Sequence, residues 1–322
     1  MGVKIKDIIE PENITFKDLE GRTVAIDAFN TIYQFLSSIR QRDGTPLLDR
    51  DGNVTSHLSG LLYRNASIIE KGIKPIYVFD GAAPKEKSET QDARRQVREE
   101  AREKWKEALR EGDIYTARKY AIRSSKMTPY IIESSKELLT LMGIPYIEAK
   151  GEGEAQAAYM VKKGDAWAVA SQDYDCLLFG SRRVIRNLTN SSKRSLEYYE
   201  LRKVLTQLNI TREQLIDMSL LIGTDFNDGI KGIGSKTALK LAKKGQLEEK
   251  IKELPDDVDN LRNIFLNHEV NKDYKIKWSK VDHAKINEFM CEKHGFSPAR
   301  LENSIKKLKT LNTGQKSLEA WF

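Results

Sequence analysis

Seven carboxylates stand at or just past the ends of apolar runs, spread over some two hundred residues of chain. Asp27 closes TVAID and Asp80 closes PIYVFD; Glu152 and Glu154 lie in GEGEAQ; Asp173 and Asp175 close AWAVASQDYD; Asp225 falls in LLIGTDFND. In an open α/β sheet, ligands bind outside the carboxyl ends of the strands. Acids placed there from several strands converge on one crevice, repel one another, and call for a positive partner. Oxygen donors with no nearby His or Cys select a hard divalent cation, Mg2+ or Mn2+, over zinc. Taken singly, each acid also fits a plainer role: Asp27 as the N-cap of a helix starting near Ala28, Asp80 before Gly81 as a turn residue. The pairs weigh against that. Two acids two residues apart share a face in an extended segment, and GEGEA reads as a loop leading into a helix, QDYD as a strand end. Caps alone need no such pairs.

The elements that must position these acids alternate. Candidate strands are 23–27, 75–80, 144–148 and 166–172, with weaker ones near 183–187 and 195–199; helical stretches are 29–41, 54–71, 128–142 and 153–163. This order predicts an α/β fold, a mainly parallel sheet with helices on both faces. No internal repeat is present. The organisation expected is one α/β domain over 1–310, with an N-terminal region 1–100, an inserted arch 82–127 and an internal region 115–256, followed by a flexible tail, 311–322.

The stretch from Lys85 to Lys126 breaks the alternation. It holds thirteen Lys/Arg and nine Asp/Glu, 13 − 9 = +4. Val97, Ala101, Trp105 and Ala108 form a thin stripe at helical spacing, and Gly112 with Asp113 separates two helices. Such a hairpin is often no more than a solvated arm. This one directly follows Asp80 and so rises over the acidic crevice, where a basic cover suits a phosphodiester substrate.

Residues 228–244, DGIKGIGSKTALKLAKK, read as a helix-hairpin-helix. Gly229 and Gly234 have P-loop spacing, but Ser235 stands where a P-loop requires lysine and no apolar strand leads in. Gly232 and Gly234 let the backbone turn tightly near a phosphate, amides at the next helix start face an anion, and Lys236, Lys240, Lys243 and Lys244 follow on that helix. Contacts of this kind hold DNA backbone without reading sequence.

Composition bounds the rest. The chain has 322 residues, 39% of them apolar, enough for a sizeable core. It carries 54 Lys+Arg against 47 Asp+Glu, a net charge of +7. With seven acids gathered in one pocket, the remaining surface is more basic than the total suggests, which favours a polyanionic partner. Cys176 and Cys291 have no metal or disulfide spacing and read as free thiols in a reducing interior. No run approaches a membrane span and no signal peptide opens the sequence. The ending, TGQKSLEAWF, places Gln315, Leu318, Trp321 and Phe322 on one face of a helical turn. They are either an anchor for a partner's groove or a tail folded back on its own domain.

The acid series, the basic insert, GIKGIGSKTA and QKSLEAWF, in this order from Gly2 to Phe322, closely resemble the archaeal flap endonucleases of the structure-specific 5′ nuclease family. The resemblance implies a PIN-like α/β nuclease with a helical arch. It implies that Asp27, Asp80, Glu152, Glu154, Asp173, Asp175 and Asp225 hold two Mg2+ ions for in-line hydrolysis, and that Lys87 and Arg94 contact the scissile phosphate. Glu86 departs from the family pattern, which has an apolar residue before that lysine, and this keeps Lys85 as an alternative. Tyr33 matches an aromatic that stacks on a base near the cut. The hairpin would hold K+ against duplex phosphates through Gly232 and Gly234, and the tail would bind a sliding clamp (PCNA). The implied activity is removal of 5′ flaps from branched DNA in replication and repair, with associated 5′→3′ exonuclease activity, inside the cell with the chromosome and away from membranes. A junction-cleaving or purely exonucleolytic sibling is the near alternative, and a non-catalytic clamp-bound scaffold the distant one. A D-x-D phosphatase is disfavoured because Ala28 and Phe29 follow Asp27.

Overall fold

The uninterrupted apolar runs TVAID and PIYVF can bury both faces only inside a sheet covered on two sides, and both are interior strands. The computed structural model describes residues 2–81, 88–190 and 195–308, with the backbone alone over 88–94. Seven strands, β1 (Glu12–Ile14), β2 (Thr23–Asp27), β3 (Lys74–Phe79), β4 (Tyr146–Glu148), β5 (Ala168–Ala170), β6 (Arg183–Arg186) and β7 (Leu196–Glu200), form one sheet in the order β1-β7-β6-β5-β2-β3-β4. The five strands from β4 to β6 are parallel; β7 runs antiparallel to β6, and β1 antiparallel to β7. The two weaker strands of the sequence are thus β6 and β7, and β7 makes the sheet mixed. β1 has no counterpart in the sequence reading, since three residues at a polar edge carry no periodic signal.

The helices are α1 (Ala28–Ser38), α2 (Ser56–Glu70), α3 (Ser88–Arg110), α4 (Ile114–Arg123), α5 (Pro129–Leu141), α6 (Gly153–Lys163), α7 (Asp175–Leu178), α8 (Leu201–Leu208), α9 (Arg212–Ile222), α10 (Ser235–Lys243), α11 (Leu247–Ile251), α12 (Val258–Leu266), α13 (His283–Asn287) and α14 (Pro298–Leu308). The pleat sends alternate strand residues to opposite faces. Val24, Ile26, Tyr77 and Phe79 join the core formed with α1, α2, α5 and α14, while Ala25, Ile76, Val78 and Val169 join the core formed with α6, α7, α9 and α12. Two sided cover is what lets the central strands stay apolar throughout.

The inserted arm is a helical pair. Gly112 turns it at φ +75, and Asp113 caps α4 by accepting from the Thr116 amide at 3.0 Å. Ala101 and Ala108 on α3 and Ala117 and Ala121 on α4 are buried. The seam is therefore made of methyl groups, and Val97, expected on it, is 59% exposed. So thin a seam buries little apolar area, and the arm gains support from the loop after α1. Arg40 donates to Gly44 O at 2.7 Å and to Ser125 Oγ at 2.8 Å. Gly44 lies at φ +87, where an added Cβ would sit 2.7 Å from Ala121 Cβ and 3.0 Å from Arg118 Cα.

Gly44→Ala should therefore push α4 away from its seat. We expect a loss of roughly 1–3 kcal/mol from backbone strain and overpacking, with faster amide exchange concentrated in Ile114–Arg123. Unchanged melting and exchange would show that the loop does not hold the arm.

Candidate active site

Parallel strands end together, so the residues just beyond β2, β3 and β5 share one crevice. The register pairs Asp27 with Val78 and Ile26 with Ala170, which puts Asp27 beside Asp80 on one side and the Ser171–Asp175 turn on the other. Asp27 is both cap and site residue: its Oδ1 accepts from the Asn30 amide at 3.0 Å, and its Oδ2 lies 3.2 Å from Ser171 Oγ. The same Ser171 oxygen lies 3.1 Å from Glu154 Oε1 and accepts from the Asp173 amide at 3.1 Å. One hydroxyl proton thus bridges two carboxylates from different elements. Asp80 Oδ1 accepts from the Gly153 amide at 2.8 Å, and a Cβ on Gly153 would fall 2.6 Å from that oxygen. Glu152 is the N-cap residue of α6, one position before Gly153.

QDYD is not an extended strand end. β5 stops at Ala170, the Ser171–Asp173 contact draws the backbone into a turn, and Asp175 is the first residue of α7. The two acids are aimed separately: Asp173 Oδ2 accepts from Asn30 Nδ2 at 3.0 Å, and Asp175 Oδ1 accepts from the Val3 amide at 2.7 Å. A Cβ on Gly2 would lie 2.7 Å from the same Asp175 oxygen, so the start of the chain packs against the crevice and only a bare backbone fits there. Asp225 follows α9 in a loop set by Thr224 Oγ1 donating to Asn227 Oδ1 at 2.9 Å and by the Phe226 amide donating to Thr224 Oγ1 at 3.1 Å.

The electrostatics tie the set together. Burial, then the charges of Asp80 and Asp173, push the Asp27 carboxyl up to about 8. Burial, with Asp173 and Asp225 beside it, pushes Asp175 up to about 7 against the opposing Val3 hydrogen bond. Among the described residues no three acids as placed enclose a single point for an ion; Asp27, Asp80, Glu154, Asp173 and Asp175 are each turned toward a neutral donor. The donor chemistry still fits a hard divalent cation, since buried carboxylate oxygens repelling one another are what such an ion neutralises. The expectation that no cysteine stands near is corrected: Cys176 Sγ lies 3.5 Å from Glu154 Oε1. Burial and the neighbouring acids push its thiol well above its ordinary value, which suits a protonated donor to that acid.

Tyr33, on α1, is half-buried, and its hydroxyl accepts from Arg98 Nη1 on α3 at 3.1 Å, joining the floor to the arm. Lys236, Lys240, Lys243 and Lys244 are all exposed at or just beyond α10. Gly232 takes φ +90, as a tight turn requires, but Gly234 is an ordinary extended N-cap at φ −102. The glycines that the hairpin packing needs are Gly223 and Gly229: at Gly229, φ +72, a Cβ would meet Gly223 N at 2.4 Å. Lys87, Gln315, Leu318, Trp321 and Phe322 lie outside the described residues, as does the side chain of Arg94.

Sequence reasoning passed over the groups that hold the acids. Asn30 and Ser171 carry no motif. Arg186 closes the weak strand β6; its Nε donates to Gln172 O at 3.0 Å, its Nη1 donates to Tyr174 Oη at 2.5 Å and to Glu197 Oε2 at 2.6 Å, and its guanidinium lies 4.3 Å from the centre of the Tyr174 ring. It therefore fixes both neighbours of Asp173. The sequence signal is faint: a cation ending the strand beside the acid-bearing one.

Comparison with known proteins bears on the whole chain. Residues 1–101 match the XPG N-terminal domain and residues 143–225 the XPG I-region. The chain is 66% identical to flap endonuclease 1 of Methanobrevibacter smithii and 56% identical to that of Methanothermobacter thermautotrophicus, each over the full length of both proteins. The solved flap endonuclease-1 of Methanococcus jannaschii superposes with a TM-score of 0.81 at 45% identity, covering 96% of this chain and 98% of that one. The catalytic core of Rad2 in complex with DNA substrate shares the fold at 23% identity, with a TM-score of 0.71, over 92% of this chain and 96% of that one.

Two outcomes follow from the geometry. Unfolded aspartate ionises near its ordinary 3.8, whereas folded Asp27 keeps its proton up to about 8. Without divalent cation, stability should thus fall as pH rises through this window. Asp27→Asn keeps the cap and removes the charge, so it should melt higher than the parent at pH 8 and equally at about pH 4; parallel melting curves at both would refute the assignment. Arg186→Gln should release the turn around Asp173. Cleavage should fall by one to two orders of magnitude, as for other groups that orient metal ligands, with partial recovery at high divalent cation and little change in DNA affinity. Single-turnover rates across a cation titration would check this.

Proposed function

The chain belongs to the flap endonuclease family of XPG nucleases, and from that premise we propose that the carboxylate crevice uses two Mg2+ ions, with Mn2+ able to substitute, to hydrolyse the phosphodiester at the base of a 5′ flap. The protein is a flap endonuclease, a divalent-metal-dependent phosphodiesterase acting on branched DNA in replication and repair. No helix among the described residues is long and apolar enough to cross a membrane. The observation that carries the proposal is the convergence of Asp27, Asp80, Glu154, Asp173, Asp175 and Asp225, with two of the acids held far above their ordinary values by burial and mutual repulsion.

The residues divide the work. Asp27, Asp80, Glu152, Glu154, Asp173, Asp175 and Asp225 would hold the ions, some through water. Bound there, the ions supply an activated water and charge neutralisation at the leaving oxygen. Lys87 and Arg94 would offset charge that builds on the scissile phosphate, and Tyr33 would stack on a base at the cut. The exposed lysines of the α10 helix would grip duplex phosphates, with K+ held by the backbone around Gly232 and Gly234. Associated 5′→3′ exonuclease activity follows from the same chemistry at a recessed end. The tail residues Gln315, Leu318, Trp321 and Phe322 would bind a sliding clamp, Gln315 at the groove's edge and the other three in its apolar floor. The site lies with the chromosome in the cell interior.

Asp173→Ala should abolish flap cleavage while leaving flap binding largely intact, because phosphate contacts elsewhere carry most of the affinity. Lys243→Ala should do the reverse, weakening binding and lowering its salt slope by about one. Normal turnover of Asp173→Ala in saturating Mg2+ would sink the metal assignment. A chain ending at Thr313 should cleave flaps normally alone yet lose stimulation by the cognate clamp, since each buried aromatic contributes about 2 kcal/mol or more. Full stimulation of the shortened chain would refute the anchor. Loss of its clamp-free activity would show instead that the tail folds back on the nuclease.

A further inference from the structure

Between α12 and α13 the chain runs as a strap with no helix or strand of its own, anchored every few residues. At its upper end the Asn271 amide donates to Gln156 Oε1 at 2.7 Å, its carbonyl accepts from Gln156 Nε2 at 2.9 Å, and its Nδ2 donates to Glu148 O at 3.1 Å. Tyr274 Oη then donates to Asp165 Oδ2 at 2.5 Å and Trp278 Nε1 to Pro75 O at 3.0 Å. At the lower end the Ser279 amide donates to Gly143 O at 3.1 Å. The strap thus descends the outside of the sheet, from the carboxyl end of edge strand β4 to the foot of β3.

Its side chains are sorted. Tyr274, Ile276 and Trp278 pack onto the core beneath α6, while Lys272, Lys275, Lys277 and Lys280 are exposed. Residues 272–280 hold those four lysines and a single acid, Asp273. Two neighbouring cations are neutralised: Lys136 pairs with Glu148 and Lys163 with Asp165. None of the four strap lysines pairs with a carboxylate among the described residues. At about 3.3 Å per extended residue, the row spans roughly 26 Å. A run of surface charge is ordinarily just a solvated face. Here the charges are like-signed, without an ion pair among the described residues and carried by a pinned backbone, so an external polyanion would be a favourable counter-charge.

Position names the polyanion. The upper end is tied to Glu148, and the adjoining Ala149–Gly151 segment lines the crevice mouth, where the Gly81 amide donates to Gly151 O at 2.8 Å. The α10 lysines stand toward the other side, packed through α9 and α7 against the β5–β6 half of the sheet. The crevice lies between two basic tracks. If the duplex is held at α10, the displaced strand leaves on the β4 side. We propose that the strap lysines are a track for the single-stranded 5′ flap as it departs the crevice, a reading that rests on the flap-cleaving function above. The strap's aromatic rings face inward, so no base stacks on them, and the contact is with phosphate alone, indifferent to sequence and sensitive to salt.

The test compares the intact chain with the K272Q/K275Q/K277Q/K280Q variant, binding a junction with a long 5′ flap and the same duplex nicked without a flap, over a series of salt concentrations and without divalent cation. On the flapped junction the variant's slope of log affinity against log salt should flatten by about 0.7 for each lysine engaged, and the all-arginine variant, which keeps the charge, should bind as the intact chain does. The nicked duplex should show no flattening. An unchanged slope on the flapped junction, with the variant's melting temperature retained, overturns the proposal. Equal flattening on both substrates also overturns it, because the strap would then hold duplex. Should the quadruple variant melt early, the exposed single changes K275Q and K277Q give the same reading at a quarter of the effect each. Cleavage of the flapped junction by the intact chain in Mg2+ keeps the two readings apart: cleavage with an unaltered slope refutes only the strap, whereas absence of cleavage refutes the function it rests on.

Discussion

Repulsion among carboxylates at the ends of three adjacent parallel strands is the constraint around which the rest of the molecule is arranged. Folding brings Asp27, Asp80, Asp173, Asp175 and Asp225 near enough that two of them resist ionisation. Without a cation the cost is met by neutral donors: the amides of Asn30, Val3 and Gly153, the amide group of Asn30 and the hydroxyl of Ser171. Each backbone amide satisfies one oxygen, and the Ser171 hydroxyl is shared between Asp27 and Glu154. The crevice is thus set in place by neutral donors, in keeping with the metal site proposed there.

The same constraint explains where close backbone approach is spent. Gly2, Gly81 and Gly153 lie where an added Cβ would strike an acid or the backbone behind it. They let the chain start, the β3 end and the α6 start come together at one point. Farther out, Arg186 performs the equivalent task for the turn after β5 by capturing Gln172 and Tyr174, its own charge balanced by Glu197. A precise site is thereby built from loops without each loop being rigid by itself.

Around this acidic centre the basic elements are attached in different ways. The α3–α4 arm has only a seam of alanines and depends on Arg40 and Gly44 for its seat, with Arg98 reaching Tyr33 below. The α10 helix stands on α9, and its loop also carries Asp225, so the proposed duplex contact and one of the acids share a single segment. The strap is pinned to the sheet edge by Asn271, Tyr274 and Trp278. Each basic element is tied to a different edge of the crevice, an arrangement that fits the proposed holding of branched DNA by its phosphates.

The residue order alone determined the strand–helix alternation, the inserted basic pair with its break at Gly112 and Asp113, and the seven acids, because continuous apolar runs, helical spacing and acids following strands are local patterns. The tertiary structure decided what those patterns leave open. β1 depends on edge pairing between segments nearly two hundred residues apart, and β7 reverses by pairing antiparallel with β6. The turn at Ser171–Asp175 arises because a serine hydroxyl competes with the strand for a backbone amide, so the two acids face different partners, contrary to the extended reading. The proximity of Cys176 to Glu154, the need for glycine at Gly223 and Gly229, and the contacts of Asn30 and Arg186 come from the tertiary structure. Burial and charge act over distances in space, and a sequence records distances only along the chain.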